Sequence, residues 1–170
     1  DAMALPFPDE SFDAVVCQFG AMFFPDKSRG FAEARRVLKP SGVLVFNTWD
    51  RIEENEFADA VTSSLEPMFP ADPPRFLART PHGYFERAVI ERDLEAGGFG
   101  GHFEFFTIPA RSRAESAQWP ALGFCLGTPL RNEIVARDAS LLGKAIDVAT
   151  QGIVHRFGAG PVEGKIQAHV

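Results

Sequence analysis

Residues 12–49 read FDAVVCQFGAMFFPDKSRGFAEARRVLKPSGVLVFNTW, and the periodicities inside this stretch decide the fold. Phe12 to Cys17 is a short apolar run rich in β-branched residues, the pattern of a strand buried on both faces of a parallel sheet. Pro25-Asp26 then opens a helix, with Asp26 as its N-cap. Phe31, Ala34 and Leu38 recur on one helical face, and Arg29, Glu33 and Arg36 lie elsewhere. Lys39 at the end of this helix complements its dipole, and Pro40 with Gly42 stops it. Val43 to Trp49 is a second buried strand. Strand, helix and strand within about forty residues make a βα unit feeding a parallel strand, so the fold class is α/β.

Outward from this unit the pattern continues. Residues 6–11, PFPDES, form a loop, since two prolines and a polar cluster sustain neither helix nor ladder. Downstream, a helix is predicted around 54–68, a Pro-rich loop at 69–76, and a helix near 85–96 that exits at Gly97-Gly98. A strand is predicted over 103–108. Two helices follow, over 113–127 and 131–156, broken at Gly127-Thr128-Pro129, and a final strand covers 162–170.

The chain has 170 residues, 45% of them apolar and 24% charged, which suits a single globular domain. Seventeen Phe stand against one Tyr, a bias that fits a dry core or an apolar substrate pocket. The net charge of −6 and pI near 5.2 argue against a nucleic-acid surface, which needs a basic patch. No apolar run reaches the roughly 18 residues of a membrane span, and no charged-then-apolar leader opens the chain. Two cysteines, Cys17 and Cys125, give neither a disulfide framework nor zinc spacing, which fits a reducing cytoplasm and no metal.

Two separated blocks carry a resemblance. Asp1-Ala2-x-x-Leu5-Pro6-Phe7-x-Asp9-x-Ser11-Phe12-Asp13, with Phe19-Gly20 after the strand, is one. Arg36-Val37-Leu38-Lys39-Pro40-Ser41-Gly42 is the other, with Ser41 where a glycine is usual. Together they resemble the class I S-adenosylmethionine-dependent methyltransferases, methyltransferase type 11, in the branch of the ubiquinone/menaquinone-biosynthesis C-methyltransferases. The resemblance is close over about fifty residues and follows element order beyond them. It implies the C-terminal half of a Rossmann-like sheet, strands 4-5-7-6 in family order with the last antiparallel. It also implies S-adenosyl-L-methionine as cofactor and methyl transfer to a small, lipophilic acceptor. The family's glycine-rich loop and its ribose-binding acidic residue are expected before Asp1, so the 170 residues are expected to be one partial domain, inactive as an isolated fragment. The competing reading is a catalytically inactive binding or scaffold domain that lacks the glycine-rich loop. A Rossmann-type oxidoreductase is disfavoured by the lack of a dinucleotide fingerprint. Gly158 to Gly164 and Gly97 to Gly101 fit turns better than phosphate cradles.

The resemblance also implies site residues. The Asp1 carboxylate is expected to accept from the adenine amino group, and the Ala2 N–H to donate to the ring. Gln18 ends the first strand, where open α/β sheets bind ligands, and with Phe19 is expected to hold the methionine part. Phe19, Met22, Phe23 and Phe24 would wall the sulfonium and acceptor. The insert 111–158 is expected to form a helical substrate lid, with Trp119 and Phe124 in an apolar set with Leu122, Leu126 and Leu130. That set suits ordinary helix packing equally well. His155 in this insert is the candidate base, ahead of His82 and His102, while His169 falls in the last strand. Asp50 and Asn47, at the end of the second strand, are further candidates. Cys17 and Cys125 read as buried and inert. Phe12 to Cys17 would be a bare sheet edge, which predicts cover by further chain or self-association.

Overall fold

The computed structural model describes residues 1–101 and 103–170; the weaker base candidate His102 lies outside the described residues. Among the described residues four strands are present: β1 (Phe12–Gln18), β2 (Leu38–Trp49), β3 (Thr107–Ala114) and β4 (Val162–His169). They form one sheet in the order β1-β2-β4-β3. β1 runs parallel to β2, and β4 runs antiparallel to β2, the arrangement that the resemblance implies. The α-helices among the described residues are α1 (Lys27–Val37), α2 (Glu56–Leu65), α3 (Phe76–Arg79), α4 (Arg87–Ala96), α5 (Gln118–Gly127), α6 (Leu130–Asp138) and α7 (Leu142–Phe157). Among the described residues, no helix is long and apolar enough to cross a membrane.

The chain divides into two compact units. The first holds Asp1–Asp50, Tyr84–Ile108 and Ala168–Val170, and the second holds Arg51–Gly83 and Pro109–Gln167. In the first, Met22, Phe31, Tyr84, Ile90 and Leu94 are buried together, with Cys17, Leu44 and Phe46 packed on them. In the second, α2, α5, α6 and α7 bury Val61, Leu65, Cys125, Ile134 and Ile153.

Several boundaries differ from the sequence expectation. α1 ends at Val37, because Pro40 drives Lys39 out of helical space, and Leu38 is already extended at φ −78°, ψ 138°. The strand expected over 103–108 is displaced to Thr107–Ala114. Pro109 and two arginines conceal it, yet β3 is an edge strand, where proline is tolerated and Arg111 and Arg113 pair with Glu163 of β4. The helix expected from 113 therefore starts at Gln118. The helix expected over 131–156 is interrupted at Asp138, whose carboxylate accepts the Ser140 N–H at 2.9 Å. α3 begins at Phe76, the last residue of the expected Pro-rich loop.

The largest correction concerns β1 and β2. Val16 is 72% exposed, Val43 56% and Val45 43%, so one face is open. Within this unit α1 and α4 cover the face of Cys17, Leu44 and Phe46.

α1 anchors the N-terminal loop. Its cap is as expected, with the Arg29 N–H donating to Asp26 Oδ1 at 2.9 Å. From the last turn, Arg36 donates to the Leu5 carbonyl at 3.0 Å, the Phe7 carbonyl at 2.8 Å and Asp9 at 2.7 Å. Glu33 accepts the Leu5 N–H at 2.8 Å. The Arg36 hydrogen bond, with the Leu5 amide, holds the Glu33 carboxyl down at about 2, against an ordinary 4.5.

Two predictions follow from this packing. A Cβ on Gly97 would lie 2.6 Å from Phe31 Cβ and 3.0 Å from the Ala32 nitrogen, so α1 and α4 approach through this glycine. Gly97→Ala should destabilise by about 1–3 kcal/mol through overpacking, and an unchanged urea midpoint would contradict this. Glu33 has a depressed folded-state pKa, so its contribution is complete above its unfolded value and is lost as pH falls towards 2. Melting temperature should drop across that acid window, and Glu33→Gln should flatten the drop.

Candidate functional site

The carboxyl ends of β1 and β2 lie side by side, with Gln18 in register with Asn47. Aligned residues of paired strands share a face, here the open face of Val16 and Val45. An open α/β sheet binds ligands outside these ends. After Gln18 the chain turns sharply: Phe19 has φ +49°, a left-handed conformation that is uncommon for a bulky residue. Two interactions hold it there. The Phe19 N–H donates to Asn47 Oδ1 at 2.8 Å, and the Phe19 ring stacks on Trp49 with centroids 4.1 Å apart and 17° between planes.

A single 3₁₀ turn, Ala21–Phe23, follows. Lys27 steadies its exit, with Nζ donating to the Met22 carbonyl at 3.2 Å and the Phe24 carbonyl at 2.7 Å. The same ammonium lies 4.9 Å from the Tyr84 ring centroid, and burial lowers its pKa. Phe24 packs inward over Gly30, where a Cβ would come within 2.5 Å of its ring, whereas Phe23 is 52% exposed.

The expected site residues divide accordingly. Gln18, Phe19 and Phe23 fall at the strand ends in the first unit; Phe24 is largely core. Asp1 is exposed and caps its own turn, accepting the Met3 N–H at 3.0 Å, and Ala2 is half-buried beside it. Trp119, 60% exposed, and Phe124, packed on the second core, belong to the second unit. So does His155, which is exposed in the last turn of α7, with no partner to fix its tautomer among the described residues. His82 is buried. Cys125 is buried and its thiol is pushed up to about 11; burial also raises Cys17. No cluster of potential metal ligands occurs among the described residues.

Sequence reasoning missed one polar assembly. His169 Nε2 lies 3.1 Å from Asp50 Oδ1, and its Nδ1 lies 3.0 Å from Thr107 Oγ1. This imidazole ties the end of β2 to the start of β3 and the end of β4. The signal was present as a His in the last strand and an Asp after the second. A cleft of about 480 Å³ runs along the outer edge of β2, past Val43, Thr48, Phe103 and Phe106. Thr48 Oγ1 lies there without a hydrogen-bond partner among the described residues. Next to it Phe106 and Val170 exchange two backbone hydrogen bonds of 2.8 Å, so the cleft follows a strand edge.

Comparison with known proteins bears on this geometry. Residues 1–46 match the family described as Methyltransferase domain. Demethylmenaquinone methyltransferase of Deinococcus radiodurans is 58% identical over 45 residues, 26% of this chain and 19% of that protein. The ubiquinone/menaquinone biosynthesis C-methyltransferase UbiE of Cupriavidus necator is 33% identical over 118 residues, 65% of this chain and 48% of that protein. The chain thus spans half or less of the length of these curated relatives. Among solved structures, an Anabaena variabilis protein described as a methyltransferase from an antibiotic biosynthesis pathway superposes with TM-score 0.56 at 18% identity, over 99% of this chain and 70% of that one. A Bacillus halodurans protein described as a methyltransferase gives TM-score 0.54 at 18% identity, over 99% of this chain and 66% of that one. These two likenesses establish the fold. With the two sequence blocks matched and the strand order in place, the chain is similar over residues 1–46 to the Methyltransferase domain family and shares the fold of the two solved methyltransferases.

Proposed function

We propose that this chain supplies the adenine-edge and acceptor-side half of an S-adenosylmethionine-dependent methyltransferase whose acceptor is a small lipophilic molecule. The observation that carries this reading is the pair Gln18 and Asn47, in register at the carboxyl ends of two parallel strands and followed by a turn pinned at Phe19. The names of these relatives, a demethylmenaquinone methyltransferase and a ubiquinone/menaquinone biosynthesis C-methyltransferase, favour a ring-bearing acceptor.

In this reading Asp1 and Ala2 take the adenine, and Gln18 takes the methionine part through its side chain or carbonyl. The Phe19 N–H is already committed to Asn47, so Phe19 contributes through its ring. The bound cofactor supplies an activated methyl on a sulfonium. The chain's own task is then to hold the acceptor in line beside Phe19 and Phe23, and such positioning is worth roughly 7–11 kcal/mol. An acceptor that must lose a proton needs a base with a pKa near the working pH.

Calorimetric titration of the intact protein with S-adenosylmethionine tests the reading. Micromolar binding is expected, with Asp1→Ala and Gln18→Ala each weakening it by about 1–3 kcal/mol, the cost of a lost hydrogen-bond partner. No binding by the wild type would overturn the reading, and an unchanged dissociation constant would remove the substituted residue from the site.

A further inference from the structure

We infer that Lys27 is a positioning residue of the candidate site: its ammonium clamps the turn after β1 and so fixes the direction in which Phe23 meets the bound molecules. The inference rests on the methyltransferase reading and adds to it a residue that touches neither ligand.

Lys27 stands where helix chemistry disfavours it. It is the first residue of α1, directly after the N-cap Asp26, and a cation there opposes the positive end of the helix dipole. Pairing with a carboxylate does not explain it either. Asp93 is the charge that favours the ammonium against burial, but this carboxylate already accepts the Tyr84 hydroxyl at 3.2 Å and the Arg92 guanidinium at 2.9 Å. What the ammonium holds is main chain. It donates to the Met22 carbonyl at 3.2 Å and to the Phe24 carbonyl at 2.7 Å, and the Tyr84 ring centroid lies 4.9 Å away. An ammonium has three donors, and two carbonyls with one ring face account for them.

The two carbonyls flank a single residue. Phe23 lies between them, at the end of the 3₁₀ turn Ala21–Phe23, whose N-terminus no side chain caps. On its far side the Phe24 ring is anchored over Gly30, whereas Phe23 itself is 52% exposed. A ring so exposed has little packing of its own, so its direction is set by the backbone on either side. Tying both neighbouring carbonyls to one ammonium removes most of that backbone's freedom. A wall ordered before binding need not be ordered on binding, which favours affinity. Tyr84 completes the clamp: it is buried, and its hydrogen bond to Asp93 of α4 holds the ring against the ammonium. Asp93, Tyr84 and Lys27 thus act in series on the turn.

Substitution separates the clamp from general packing. Lys27→Met keeps the apolar stem and removes the donors, whereas Lys27→Arg keeps donors and charge. Removing a cation from a helix N-terminus favours the helix, so Lys27→Met is expected to fold with a melting temperature no lower than that of the wild type. In NMR spectra of the intact protein, the Met22, Phe23 and Phe24 amide signals should move in Lys27→Met and return near their places in Lys27→Arg. Calorimetry with S-adenosylmethionine should give a dissociation constant about tenfold weaker for Lys27→Met, through lost preorganisation. Lys27→Arg should stay within about twofold of the wild type, because its guanidinium can still donate to both carbonyls. Wild-type affinity in Lys27→Met, or a loss in Lys27→Arg as large as in Lys27→Met, would overturn the inference. Unmoved amide signals in Lys27→Met would overturn it too. A wild type that fails to bind S-adenosylmethionine would defeat the methyltransferase reading instead, while the amide signals test the clamp without cofactor.

Discussion

Phe19 leaves β1 in the left-handed region, at φ +49°, a conformation that costs a non-glycine residue on the order of 1–3 kcal/mol unless its surroundings impose it. Here they do. The Asn47 side chain takes its amide, Trp49 takes its ring, and Lys27 gathers the carbonyls at the far end of the turn. Each partner comes from a different position in the chain, so the turn exists only once β2 has paired with β1 and α1 has closed over them. The geometry of the candidate site is therefore a consequence of the parallel pairing, and the strain at Phe19 is held by the sheet itself.

The same dependence extends to the N-terminal loop. Asp1 to Ser11 has no regular structure, yet it is held at several points by one helix through Arg36 and Glu33. α1 is held in turn by α4 through the close approach at Gly97. A cofactor residue on that loop, as Asp1 is proposed to be, is positioned by ion pairs on α1. Exposed ion pairs contribute little stability individually, but several converging on one guanidinium define a conformation.

Much of the fold was legible. The strand–helix–strand period over 12–49 gave the α/β class, and Asp26 and Pro40 bracketed α1 through capping and backbone restriction. Edge strand β3 was misplaced because its pattern is polar: Arg111 and Arg113 owe their places to Glu163 on a strand distant in sequence. The continuous apolar runs of β1 and β2 suggested burial on both faces, whereas Val16, Val43 and Val45 stand exposed. A run of valines records tolerance for burial and cannot say how much cover is present. At the candidate site, Gln18 stands out from its place at a strand end, and β1 does end there. Asn47 was noted for the same reason but in the role of a base. Its hydrogen bond to Phe19 spans 28 residues, and no local pattern announces such a contact. The left-handed turn at Phe19 was invisible for a related reason, since glycine would be the usual marker and a phenylalanine stands there.

The most direct measurement is a crystal structure of the intact protein with S-adenosylhomocysteine bound. The expected result places the ligand's amino-acid end against Gln18 and its adenine at Asp1 and Ala2, with Phe19 still left-handed and its amide still on Asn47 Oδ1. A ligand lodged instead in the cleft along the outer edge of β2, or a Phe19 turn that relaxes to an extended conformation on binding, would contradict it.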